Sequence, residues 1–351
     1  MESNYFTLKE ILSQPEVWAE VGKEVDRIKE DLRHLFLDKD YQKIIFTGCG
    51  SSYYLAIAAG RIFSYLTGKD SLALPASELL LYPQVYLQKN KDYLLIPISR
   101  SGQSTETVDA LVRVKENYKA NVLGVSCYEG SSLVKNSDLA VILSQAKEES
   151  VVMTRSFTSM LLALGLTSSI VADKIGYYQE FQELPGLARK VIERYKSYCE
   201  EIIKDSNCQK FVYLGSGPFY GLANESALKM KEMANLSCEA YHILEYIHGP
   251  KSTADGRTMI CLLLPERKDG YVRKFLEEIT SLGVQILVES ERLPSQVKGK
   301  IRYALEMNSG LSDYTRGFLY MIPMQLIAFY NTLKRGLNPD RPRNLTQVVR
   351  Y

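Results

Sequence analysis

No run of eighteen apolar residues occurs in this chain of 351, and its start, Met1-Glu2-Ser3-Asn4-Tyr5, opens no apolar signal segment. Neither a membrane span nor secretion is expected, so the chain reads as a soluble cytoplasmic protein. An excess of one charge is also missing: 43 basic against 41 acidic residues leave a net +2. That excludes the basic footprint of a nucleic-acid binder and a polybasic membrane patch. The six cysteines (49, 127, 199, 208, 238 and 261) form no Cys-x-x-Cys pair and have no histidine at metal-ligand spacing. They read as reduced core thiols, and neither a metal nor a cofactor is expected. Histidine is scarce, with three in the chain, two of them at positions 242 and 248.

What is present is an alternation. Short apolar runs at 43–48, 71–75, 93–99, 121–127 and 139–144 are separated by helical patterns. Such alternation implies a parallel sheet covered on both faces, an α/β fold. Residues 7–37 read as two helices, with Pro15 opening the second, and residues 156–173 as a long apolar helix. The segment 174–187, with Pro185, reads as a linker.

Ile98-Ser99-Arg100-Ser101-Gly102-Gln103-Ser104-Thr105 joins the run Tyr93–Ile96 to a helical pattern on Val108, Leu111, Val112 and Val114. Strand, hydroxyl-rich turn and helix start together make an anion site: free amides, a helix dipole and the hydroxyls of Ser99, Ser101 and Ser104. The same residues would also serve as an ordinary helix cap. Lysine is absent from the turn, so this is not a nucleotide-triphosphate loop; a smaller phosphate ester fits better.

The second half repeats the first. Gly215, Gly217, Tyr220, Leu222 and Ala223 match Gly48, Gly50, Tyr53, Leu55 and Ala56 at one offset of 167 residues. Later apolar runs at 257–265 and 284–289 keep nearly that offset, so the expected architecture is two tandem doubly wound parallel-sheet domains related by duplication. The expected domains are 1–180, with the amino-terminal helices and the phosphate turn, and 188–351, with the carboxyl-terminal tail. Where the first copy has Ser99-Arg100-Ser101 the second has Leu264-Pro265-Glu266, which implies one composite site rather than two.

Glu225, Lys229 and Glu232 stand at i, i+4 and i+7, one face of a helix that opens at the second Gly-x-Gly turn. An exposed salt-bridged stripe, worth ~0.3–0.5 kcal/mol, would show the same spacing. His242 lies in an apolar run and reads as a packed histidine, whereas His248 precedes Gly249-Pro250 and is free to face a cleft.

These motifs together resemble the sugar isomerase (SIS) domain family in its double-domain form. That form includes the isomerase half of glutamine–fructose-6-phosphate aminotransferase and stand-alone amino-sugar-phosphate deaminases. The resemblance rests on Gly48-Cys49-Gly50-Ser51-Ser52, Ser99 to Ser104, Met153-Thr154-Arg155-Ser156-Phe157-Thr158, Glu225 to Glu232, Glu245 to Pro250 and Pro342-Arg343-Asn344-Leu345. It implies flavodoxin-like SIS domains. It also implies a substrate-binding set of Gly50, Ser51, Ser52, Ser99, Arg100, Ser101, Gln103, Ser104, Val151, Thr154 and Gln347. Within that set the serines and the Arg100 amide hold a 6-phosphate, and the Gly50–Ser52 turn with Val151–Thr154 lines the sugar. Glu232 would move a proton between C1 and C2, supported by Glu225 and Lys229. His248 would help open the ring, donated across a homodimer interface.

Two departures from the family pattern carry consequences. Residue 2 is Glu rather than the nucleophilic Cys of a glutaminase, so free ammonia is expected to be released, not incorporated. Gln347 stands where the family tail has a lysine, which leaves Schiff-base chemistry to Lys229, Lys231 or Lys251, or to none. The expected function is a hexosamine-6-phosphate deaminase/isomerase, for example glucosamine 6-phosphate to fructose 6-phosphate plus ammonia. The alternatives are a fructosamine-6-phosphate deglycase, an aldose–ketose isomerase and a non-catalytic sugar-phosphate sensor.

Overall fold

The computed structural model describes residues 4–266, 270–293 and 299–349. Three helices open the chain, not two: α1 (Phe6–Leu12), α2 (Gln14–Arg27) and α3 (Lys29–Leu37). Pro15 lies in the first turn of α2, where its missing N–H costs no helical bond. The added break falls at Ile28, whose backbone (φ −112°, ψ 15°) leaves helical geometry although the apolar spacing continues across it.

Contacts divide the chain into two units. The N-terminal unit comprises Ser13–Pro185 and Thr346–Tyr351; the C-terminal unit comprises Met1–Leu12 and Gly186–Leu345. In the N-terminal unit follow β1 (Lys43–Gly48), α4 (Ser51–Thr67), β2 (Ser71–Pro75), α5 (Ala76–Leu81), α6 (Pro83–Tyr86) and β3 (Asp92–Pro97). Then come α7 (Thr105–Asn117), β4 (Lys119–Ser126), α8 (Ser132–Lys135), β5 (Leu139–Ile142) and α9 (Arg155–Val171). The strands form one parallel sheet in the order β2-β1-β3-β4-β5, with Ile45 paired to Leu72 on one side and Leu95 on the other. Continuous burial along β1 and β3 follows from helices covering both faces.

Residues 174–187 are not a linker loop. They begin α10 (Ile175–Asp205), a continuous helix with Pro185 inside it. Phe181, Leu184, Ala188, Val191, Tyr195, Cys199 and Ile202 are buried at three-to-four spacing, and that packing outweighs the hydrogen bond Pro185 cannot donate. The two units divide within this helix, between Pro185 and Gly186.

The C-terminal unit continues with β6 (Lys210–Leu214), α11 (Phe219–Ala234), β7 (Cys238–Tyr241) and β8 (Thr258–Leu263). It closes with α12 (Tyr271–Thr280), β9 (Gln285–Ser290), β10 (Tyr303–Glu306) and α13 (Asp313–Lys334). Its parallel sheet runs β7-β6-β8-β9-β10, the strand order of the first unit again. In each sheet the strand order, not the strand direction, reverses beside the first strand, the topology of flavodoxin-like folds. The matched glycines explain why the duplication shows in sequence. A Cβ on Gly48 would meet Ser52 at 2.7 Å, and one on Gly215 would meet the Phe219 carbonyl at 2.3 Å. Gly50 and Gly217 both adopt positive φ, +54° and +58°, which other residues rarely take.

Ile45, Leu95, Leu111 and Val122 centre one core; Leu214, Ile260, Leu276 and Val288 centre the other. The chain's first helix belongs with the second core's unit: the Phe6 and Thr7 amides donate to Asp340 at 3.0 and 2.8 Å. Among the described residues no helix is long and apolar enough to cross a membrane.

Candidate functional site

The carboxyl edge of the first sheet carries the serine turn. Ser99–Ser104 links β3 to α7, and the Ile98 amide donates to the Thr47 carbonyl (2.8 Å), so the turn sits beside the β1–α4 turn with Ser51 and Ser52. This is where strand order reverses, the place at which open α/β sheets present ligands. The turn supports itself: Gly102 N donates to Ser99 Oγ, Gln103 N to Ser101 Oγ (both 3.1 Å), and Ser99 Oγ lies 3.2 Å from Ser104 Oγ. Ser104 precedes α7 without making a side-chain cap, and the turn lies at the positive end of that helix, which favours an anion. Gln103 is oriented by the Ser132 hydroxyl, which donates to its Oε1 at 2.9 Å.

The Arg100 guanidinium turns away from the other residues of the loop. It donates to Glu148 (3.0 Å) and to the carbonyls of Val152 (3.2 Å), Val151 (2.8 Å) and Gln347 (3.3 Å). Glu148 is fully buried at its side chain and also accepts from the amide and hydroxyl of Thr154 and of Ser156. Gln347 Nε2 donates to the carbonyls of Glu148, Glu149 and Ser150 at 3.1–3.2 Å. The structure thus brings Arg100, Val151, Thr154 and Gln347 together through a residue that sequence reasoning passed over. Glu148 sits in Lys147-Glu148-Glu149, which reads as a solvated charged run; the serine- and threonine-rich stretch that follows was the available signal.

In the C-terminal unit Glu225, Lys229 and Glu232 share one face of α11. They are not an exposed stripe. Side chains of Glu225 and Lys229 are 0% and 1% exposed, whereas Glu232 keeps 19%. Lys229 Nζ lies 3.3 Å from Glu225 and donates to Glu232. Burial opposes the Lys229 charge, but the two carboxylates outweigh it and hold its pKa above the ordinary lysine value. A charge row inside a core reads as helix-surface patterning in sequence, because spacing does not report which face is buried.

His248 is exposed and follows a short 3-10 turn at Leu244–Ile247. Among the described residues no hydrogen bond or ion pair joins its side chain to the α11 row. His242 is half-buried and stacks on Tyr220 with ring centroids 3.7 Å apart.

The second sheet's carboxyl edge holds a cavity of about 400 Å³ lined in part by Ser216, Phe219, Pro265, Tyr271 and Asp313. The Asp313 carboxylate takes the Glu266 amide at 3.0 and 3.3 Å and pairs with buried Arg316. An internal carboxylate therefore occupies one backbone donor, the Glu266 amide, at the position that matches Ser101 in the first copy.

The SIS domain family matches residues 38–169. That stretch is a SIS domain. The second unit, with the same strand order, is a SIS-like repeat. The chain is 29% identical over 355 residues to glutamine–fructose-6-phosphate aminotransferase (isomerizing) of Pyrobaculum aerophilum, covering 98% of this chain and 57% of the relative. The enzyme of that name from Haemophilus influenzae is 28% identical over 364 residues, 98% of this chain and 58% of the relative. The chain thus spans 57–58% of the length of these relatives. Among solved structures, glucosamine-6-phosphate deaminase from Thermotoga maritima matches with a TM-score of 0.78 and 29% identity, covering 98% of this chain and 99% of that one. Tagatose-6-phosphate ketose/aldose isomerase from Escherichia coli shares the fold with a TM-score of 0.88 at 24% identity, covering 97% and 98%.

Proposed function

We propose that this chain converts a hexosamine 6-phosphate, glucosamine 6-phosphate first among them, to the ketose 6-phosphate and ammonia. The observation that carries the reading is the α11 row: a carboxylate that keeps solvent contact, Glu232, tied to a buried Lys229 whose charge is secured by Glu225. Similarity along 98% of the chain to a glucosamine-6-phosphate deaminase supports the substrate class.

The chemistry follows from the residues. Ser99, Ser101 and Ser104 with the Arg100 amide hold the 6-phosphate, and Gly50–Ser52 and Val151–Thr154 take sugar hydroxyls. Binding the phosphate, remote from C1 and C2, orients the open chain. Glu232 removes the C2 proton of the open-chain amino aldose and returns it to C1 of the enolamine, a role worth ~10²–10⁴-fold. Water then hydrolyses the ketimine, releasing ammonia and leaving the ketose. His248, supplied by a second copy of the chain, assists ring opening. Gln347 carries no amine and its side chain is committed to loop carbonyls, so it forms no imine.

A coupled ammonia assay with glucosamine 6-phosphate, galactosamine 6-phosphate and fructoselysine 6-phosphate tests this. Ammonia from a hexosamine phosphate is expected. Amino-acid release from fructoselysine 6-phosphate alone would make the chain a deglycase. Aldose–ketose interconversion without ammonia would make it an isomerase, and tight binding without turnover a sensor.

A further inference from the structure

The buried Glu148 has no part in the proton transfer, yet five donors converge on its carboxylate: Arg100 Nη1, and the amide and hydroxyl of both Thr154 and Ser156. A carboxylate offers about four lone-pair sites, so this one is saturated and fixed in orientation. We propose that Glu148 is the positioning residue of the sugar-phosphate site, setting the Val151–Thr154 segment against the phosphate turn. The inference rests on the sugar-phosphate reading above.

Three segments meet at this carboxylate. Arg100 lies between Ser99 and Ser101, and its guanidinium spans from Glu148 to the Val151 and Val152 carbonyls (2.8 and 3.2 Å). Thr154 precedes α9, and its amide reaches Glu148 at 2.6 Å, so the segment entering the helix is held at both ends. The tail closes over the same loop through Gln347, whose carbonyl accepts from Arg100 at 3.3 Å. A buried ion pair is a poor source of stability beside apolar packing of the same volume. Placed between two ligand-facing segments, it sets geometry instead. The serine turn, by contrast, is held by its own hydrogen bonds and does not need Glu148 to keep its shape.

The consequence is selective. Without the Glu148 charge, the Val151–Thr154 segment shifts relative to the turn, so recognition of the sugar falls while recognition of phosphate persists. Glu148→Gln and Glu148→Asp, compared with wild type by calorimetric binding of glucosamine 6-phosphate and of inorganic phosphate well below the melting temperature, test this. The expected result is a loss of about ten-fold or more in preference for the sugar phosphate, with inorganic phosphate held within about two-fold. A purely structural role would weaken both probes together, and that parallel loss overturns the proposal, as does an unchanged preference in either folded variant. If Glu148→Gln does not fold, Glu148→Asp, which keeps the charge but withdraws it by one methylene, decides. A wild-type chain that binds neither probe overturns the sugar-phosphate reading and this inference with it. Wild-type binding with indifferent variants overturns only the role of Glu148.

Discussion

Of the two carboxylates on α11, only Glu232 keeps contact with solvent, and on that ground the proposed proton transfer falls to it and the support to Glu225. Glu232→Gln preserves shape and removes the base. Steady-state kinetics should show turnover lower by about 10²–10⁴-fold with KM little changed; a variant with wild-type turnover would mean another residue moves the proton. Glu289, at the carboxyl end of β9, behaves differently. It is fully buried, its carboxyl oxygens have no hydrogen-bond partner among the described residues, and burial holds its pKa well above the ordinary 4.5. Below pH 4.5 folded and unfolded chains both carry the proton. Between that value and the raised folded one only the unfolded chain releases it, so stability falls as pH rises, by up to about 1.4 kcal/mol per unit. Denaturant midpoints in wild type should therefore drop as pH rises above 4.5, and Glu289→Gln should flatten that slope; an equal slope in both would contradict the assignment.

At the scale of elements, α11 depends on its buried row. Lys229→Met removes the cation paired with buried Glu225 and should cost about 3–5 kcal/mol in urea denaturation, far above a surface pair. A loss under 1 kcal/mol would show the pair is more hydrated than its burial implies. The β3–α7 turn depends on Gly102, whose φ is +62° and whose added Cβ would lie 2.1 Å from Ser131 Oγ. The serine turn was legible as a turn because the apolar run gives way there to serine and glycine before a helical period begins. The burial of Glu225 and Lys229 was not, since i, i+4 spacing is the same on either face of a helix. Nor was α10: Pro185 and Gly186 outweigh, in any local reading, the apolar spacing from Phe181 to Ile202 that tertiary packing turns into one helix.

At the scale of the molecule, duplication was legible through glycines that the fold cannot replace, Gly48 with Gly215 and Gly50 with Gly217. The difference between the copies showed in sequence as Leu264-Pro265-Glu266, but the Asp313 carboxylate accepting from the Glu266 amide forty-seven residues earlier in the chain did not. His248 is exposed, and is proposed to act from a second copy of the chain. Mixing Glu232→Gln with His248→Ala chains should restore part of the activity each lacks alone. No recovery, with mixed dimers demonstrated, would assign the site to one chain. The central claim, that Glu232 carries a proton between C1 and C2 of a bound sugar phosphate, is tested most directly by incubation with fructose 6-phosphate and excess ammonium in deuterium oxide, the ammonia regenerating the ketimine on which the proton moves. The account predicts solvent deuterium at C1 with wild type and none with Glu232→Gln, both binding the sugar phosphate equally. Deuterium incorporation by the variant at the wild-type rate would contradict it.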